Sequence, residues 1–289
     1  MFSIRSVALF SIIALGLTLQ WGQSYTALIR YFLMGMLFLS WIDSQVYWHT
    51  LGHPKLWQLV GMMACLTLTG FAVFSLIDQQ LGLIAALLGM TPTALAAPVV
   101  TSLLRGQVEF VTASVFITNS LVSLALPLIV SILDRPAPGQ SGVTVLLNTL
   151  VVVGLPLILA QGIRYRFPKL ASRLNHLKPM TFYLWLAGLY LASAKAGYFI
   201  RQTEQSLTML AMIAGVALVV CSLNFGIGRW LGRPSLVQES GQALGQKNTM
   251  LAVWFCFTFL TPTLALGPMF YIVFQNIYNT YLLAHSPQR

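Results

Sequence analysis

Two long apolar stretches of this chain are interrupted in their middles. The first, 81–104, carries Gly89, Pro92 and Pro98. The second, 236–260, carries Gly241, Gly245, Lys247 and Asn248. Each is long enough to cross a bilayer, which takes about 20 mainly apolar residues. A helix in lipid has to satisfy its own backbone groups. A break is tolerated only where protein encloses it or where it lines a water-filled cavity. Proline removes a backbone donor, so Pro92 and Pro98 are read as the first break, with Gly241 and Gly245 as the second. The interruptions lie half a chain apart. Paired broken spans at matching places in two halves point to the binding site of a secondary transporter.

Composition agrees with a membrane setting. Of 289 residues, 57% are hydrophobic and 8% charged, where a soluble domain is roughly a quarter charged. The net charge of +10 argues for topology rather than a nucleic-acid partner, because the basic residues sit in short loops between apolar runs. Such runs fall at 3–20, 25–42, 56–77, 81–104, 108–133, 143–163, 180–200, 206–228, 236–260 and 262–284. They predict an all-α integral membrane protein of ten transmembrane helices, with the bilayer as its solvent. Cys65, Cys221 and Cys256 lie inside these runs at no metal-binding spacing, so they read as small apolar residues. No small-residue cleavage site follows the first run, which reads as an uncleaved span.

Lys and Arg set the orientation. With the N-terminus inside, the inner loops hold Arg5, Lys55, Arg105, Arg164, Arg166, Lys169, Arg173, Lys178, Arg229, Arg233 and Arg289. The outer loops hold Arg135 and Arg201, beside Asp78, Asp134 and Glu204. This bias places both termini in the cytoplasm. A cut within 136–142 leaves five spans on each side, so the second half enters the membrane from the opposite face. The expected organisation is a first repeat over 1–135 and an inverted second repeat over 143–289, with discontinuous fourth and ninth spans that cross. Inverted repeats suit alternating access.

The segments 239–252 (Glu-Ser-Gly-Gln-Ala-Leu-Gly-Gln-Lys-Asn-Thr-Met-Leu-Ala) and 93–106 (Thr-Ala-Leu-Ala-Ala-Pro-Val-Val-Thr-Ser-Leu-Leu-Arg-Gly) resemble the bile acid:sodium symporter family. So do the ten spans and the tail 262–283, and the resemblance runs over nearly the whole chain. It implies a core of spans 3, 4, 5, 8, 9 and 10 around two crossing helices, and a panel of spans 1, 2, 6 and 7. It implies organic anions as substrates: bile acids, small carboxylates and sulfated compounds.

The sodium ligands implied by the resemblance are missing. Sodium-coupled members read Glu-x-Gly-x-Gln-Asn where this chain has Ala243, Leu244, Gly245, Gln246, Lys247 and Asn248. The shared Glu falls on Ala243 and the Gln on Lys247. The Ser-Asn pair of the first crossing helix falls on Ala97 and Pro98. The ligands on span 5 fall near Val111 and Val115, or one register away on Thr112 or Ser114, and the Gln of span 3 falls near Cys65. Sodium needs several oxygen ligands. A lysine in the same pocket repels it by about 4 kcal/mol at 4 Å and an effective dielectric of ~20. The expectation is no sodium cofactor and no bound metal. The alternative is a shifted site, since Glu239, Ser240 and Gly241 also match the Glu-x-Gly opening.

Lys247 is the foremost candidate, because an ionisable group at mid-membrane is functional by default. A structural alternative is that it caps the carbonyls of the first broken helix. Gln246, Asn248 and Thr249 adjoin the break, and Thr91 and Thr93 lie on the other crossing helix; substrate contact and backbone satisfaction are both open to them. The helix after each break points its positive N-terminal end at mid-membrane, which favours an anion. Gln275, Asn276 and Asn279 mark the last span, with Asn276 taken as substrate-binding. Glu109 reads as an i,i+4 partner of Arg105. Trp21, Trp41, Trp48, Trp57 and Trp230 read as an interfacial belt. The expected function is a secondary carrier of a small organic anion in the cell (inner) membrane, as a monomer or homodimer. Runner-up readings are a sodium symporter using Glu239 and a polytopic membrane enzyme or receptor.

Overall fold

The computed structural model describes residues 4–42, 48–133, 142–202 and 206–285. Asp43, Asp134, Arg135, Glu204, Arg289 and the division between halves at 136–141 lie outside the described residues. In chain order the helices are α1 (Ile4–Thr18), α2 (Leu28–Trp41), α3 (Trp48–Leu51), α4 (Pro54–Ser75), α5 (Gln79–Met90), α6 (Ala97–Leu103) and α7 (Val108–Leu133). Then follow α8 (Gly142–Arg166), α9 (Pro168–Asn175), α10 (Met180–Gln202), α11 (Leu207–Leu231), α12 (Val237–Gly245), α13 (Thr249–Phe259) and α14 (Pro262–Ala284). Among the described residues the protein is all-α, with a 3₁₀ turn at Gln20–Tyr25 and one isolated β-bridge.

Among the described residues, four helices are long and apolar enough to cross a membrane on length and composition alone: Pro54–Ser75, Val108–Ala125, Gly142–Arg166 and Leu207–Leu231. The other runs read from sequence are also helical. Among these, α1 and α2 are shorter than a full span, at 15 and 14 residues. The stretches 81–104 and 236–260 are each divided in two.

Local chemistry fixes the ends that matter. Asp78 caps α5 by accepting from Gln80 and Leu81 N–H at 2.7 and 3.3 Å, and Ser206 caps α11 through Met209 N–H. Pro54, Pro168 and Pro262 occupy first helical positions, where their missing N–H costs nothing. The polar stretches 43–55 and 164–179, read as loops, hold α3 and α9. A proline start and the burial of Ala171 against the body let α9 form. His53 Nδ1 accepts from Lys55 N–H at the start of α4, and Glu109 lies 4.0 Å from His49. Trp41 is buried rather than interfacial, while Trp21, Trp57 and Trp230 are exposed.

Neighbour relations come in matched pairs. α4 lies against α5 as α11 lies against α12, and α6 against α7 as α13 against α14. α7 touches α12 as α14 touches α5. α1 pairs with α10 as α8 pairs with α2. The broken helices therefore sit in equivalent surroundings, each between the helix before it and the helix after it.

The two breaks fall at 91–96 and 246–248. Pro92 lies in the first break. Pro98 does not; it sits in the first turn of α6, where proline is tolerated. Gly241 lies inside α12, whereas Gly245 is its last residue, at the edge of the second break. Their role is close approach to α11: a Cβ at Gly241 would stand 2.7 Å from Arg229 Cγ, and one at Gly245 would overlap the Phe225 ring.

Candidate functional site

The unwound segments satisfy each other. Proline cannot donate, but Pro92 C=O accepts from Asn248 N–H at 2.7 Å, and Ala94 N–H donates to Gln246 C=O at 2.8 Å. These bonds make a short antiparallel bridge in which Thr93 faces Lys247. Backbone groups freed by one break are thus paired with those freed by the other.

A side chain from the following helix completes each strand of the bridge. Thr93 N–H donates to Thr118 Oγ1 on α7 at 3.0 Å. Lys247 N–H donates to Gln275 Oε1 on α14 at 2.9 Å. Around Thr93 every polar atom is used. Its hydroxyl donates to Ala243 C=O at 2.6 Å and accepts from Ser114 Oγ at 2.9 Å. Its carbonyl accepts from Asn119 Nδ2 at 2.9 Å. Asn119 Oδ1 in turn accepts from Asn248 Nδ2 at 3.2 Å, and Asn248 Oδ1 caps α13 through Leu251 N–H. On the other side, Tyr271 donates its hydroxyl to Gly245 C=O at 2.7 Å and accepts from Asn224 Nδ2 at 3.1 Å.

Lys247 is 1% exposed. Its ammonium donates to Gly89 C=O at 2.9 Å. That carbonyl belongs to the last turn of α5, whose final carbonyls have no partner within the helix and stand at the negative end of its dipole. The lysine therefore caps one broken helix from the opposite one. An ammonium has three donors, and among the described residues this one bond engages them. Among the described residues no carboxylate comes within ion-pair distance of Lys247. Glu239 lies two turns earlier on α12 and accepts Gln107 N–H at 2.6 Å.

The sequence candidates separate into two groups. Four have a side-chain polar group bonded within the protein. These are Thr93 and Asn248 as above, Thr91 with its hydroxyl on Leu87 C=O at 2.6 Å, and Asn276 with its amide on Ile272 C=O at 2.7 Å. Two keep unused capacity beside the bridge: Lys247, with one bond among the described residues for its three donors, and Gln246, whose buried Oε1 has no partner among the described residues. Thr249 is buried at the start of α13.

Asn276 is not brought to the crossing: it is half-buried and bonded to its own helix. Gln275 takes that place, and Asn279, one turn on, accepts from Gln242 Nε2 at 2.9 Å. The signal for this was the spacing of Tyr271, Gln275 and Asn279 at four-residue steps, which puts them on one face and Asn276 off it. On α7 the side chains bonded to the crossing are those of Ser114, Thr118 and Asn119. Cys65 is exposed and takes no part.

In comparisons with known proteins, the chain matches no family model and no curated sequence.

Proposed function

We propose that the chain is a secondary carrier for a small organic anion of the carboxylate or sulfate class, working by alternating access without sodium coupling. The observation that carries this reading is the Lys247 ammonium on Gly89 C=O, at the meeting of two broken helices, with donors to spare. Half-helix C-termini and unwound carbonyls are where carriers hold a coupling cation. A lysine docked on such a carbonyl takes the position of an ion, and its remaining donors suit an anion.

The matched neighbour relations support a ten-span, inverted-repeat architecture. Its first repeat is α1, α2, α4, α5–α6 and α7; its second is α8, α10, α11, α12–α13 and α14. It is the arrangement of the bile acid:sodium symporter family, of which the chain would be a divergent member. The eleven-to-two Lys/Arg bias supports cytoplasmic termini and a place in the cell (inner) membrane. A sodium symporter using Glu239 has less support, because that carboxylate bonds the backbone of the α6–α7 turn. An enzyme or receptor is favoured by no arrangement of groups at the crossing.

The test is uptake by proteoliposomes of a bile salt, small carboxylates and sulfate esters, in sodium and in choline at matched ionic strength. The expected result is uptake of at least one anion at equal rates in both media. Uptake that saturates with sodium, or thermal stability that rises saturably with sodium but not potassium, would sink the uncoupled reading and return attention to Glu239.

A further inference from the structure

The segment joining α8 to α10 carries charge of one sign. Arg164 and Arg166 end α8, Lys169 and Arg173 lie on α9, and Lys178 precedes α10, with no acidic residue anywhere from 160 to 202. Arg166, Lys169 and Arg173 are exposed, and none of the three has an ion-pair partner among the described residues. Apolar side chains stand among them: Tyr165 is 92% exposed, Phe167 57% and Leu170 44%.

Helix α9 sorts these groups by face. Lys169 and Arg173, four apart, share one stripe, and Leu170 and Leu174 share the next. Ala171 and Leu174 hold the helix on the body. The helix before it, α8, is long and apolar enough to cross a membrane, so its basic end and α9 stand at the bilayer boundary. Basic side chains with exposed aromatic and aliphatic neighbours at that level match a headgroup layer, with phosphates outside and acyl chains inside.

We propose that this segment binds the anionic headgroups of phospholipids in the leaflet it borders. The cationic stripe meets the phosphates, and Tyr165, Phe167 and Leu170 enter the acyl boundary. Phosphate chemistry alone would also suit free inorganic phosphate, but a free ion has no use for the apolar neighbours. The inference is independent of what the chain transports.

The test uses the purified full chain in nanodiscs or mild detergent, with retained lipid read by native mass spectrometry. Phosphatidylglycerol is compared with phosphatidylcholine. Each Lys or Arg near an anionic surface contributes about fivefold in affinity. The triple variant Arg166→Gln, Lys169→Gln and Arg173→Gln should lose on the order of a hundredfold of phosphatidylglycerol binding and leave phosphatidylcholine unchanged. The charge-conserving triple Arg166→Lys, Lys169→Arg and Arg173→Lys should bind as the parent does. Should the neutral triple fail to fold, Arg173→Gln alone decides, with a loss of about fivefold expected. Unchanged phosphatidylglycerol binding in either neutral variant overturns the proposal. So does displacement of the lipid by equimolar inorganic phosphate.

Discussion

Replacing Lys247 by methionine separates a working residue from a structural one. Methionine keeps most of the stem, so little cavity forms and packing against α5 persists. Two changes then oppose each other. Gly89 C=O loses the Lys247 donor, and a buried carbonyl left unpaired costs about 1–3 kcal/mol. Against this, the fold no longer holds a desolvated ammonium that has one acceptor for three donors, and such a burial costs several kcal/mol. The two terms nearly cancel or favour the variant, so Lys247→Met should unfold within about 1 kcal/mol of the parent or above it. Anion binding should behave differently. Truncating one partner of a buried charged pair costs about 2–5 kcal/mol, so affinity should fall at least about thirtyfold. Thermal and denaturant unfolding in detergent read the first quantity; titration with the anion carried in the proteoliposome assay reads the second. A variant destabilised by more than about 3 kcal/mol would make the lysine a helix cap and nothing more. A variant with unchanged affinity would leave it no part in the site.

Asn119→Ala strands Thr93 C=O and Asn248 Nδ2 and should cost roughly 2–4 kcal/mol; a loss under about 1 kcal/mol in chemical unfolding would mean the bridge does not depend on it. Gly245→Ala drives a methyl into the Phe225 ring and should destabilise by about 1–3 kcal/mol. Gly154→Ala, with open space at its Cβ on α8, should gain about 0.5–1 kcal/mol; equal melting temperatures for these two alanine variants would contradict the geometry. Gln275→Ala removes the acceptor of Lys247 N–H and should impair uptake and stability together. Asn276→Ala should change neither, and the reverse ranking would show that the last helix is rotated from its described position.

The helices were legible because membrane burial demands long uninterrupted apolar runs, and nearly every run of this chain became a helix or a pair of half-helices. The location of the breaks was legible too, through Pro92 and the polar residues 246–248. Their cause was only half legible. A glycine that ends a helix and one that admits a neighbour look the same in sequence; Gly241 is of the second kind, and Gly245 does both. At the site, Lys247 could be singled out by its charge alone. Its acceptor could not, because Gly89 contributes a carbonyl that any residue would supply. The choice between Asn276 and Gln275 turned on a related point. Both are amides of similar chemistry, and only the direction of α14 decides which one reaches the crossing.

A diffusing ion fills a site in proportion to its concentration on the side to which the site is open. The ammonium on Gly89 C=O is tethered to the chain by its own side chain, so its local concentration is fixed by the chain and corresponds to about millimolar or more whatever the solution holds. Occupancy is then the same facing either compartment. On the function proposed above, a site filled in this way would not sense a sodium gradient. If a cargo passes through it, a sodium gradient would then not set the direction.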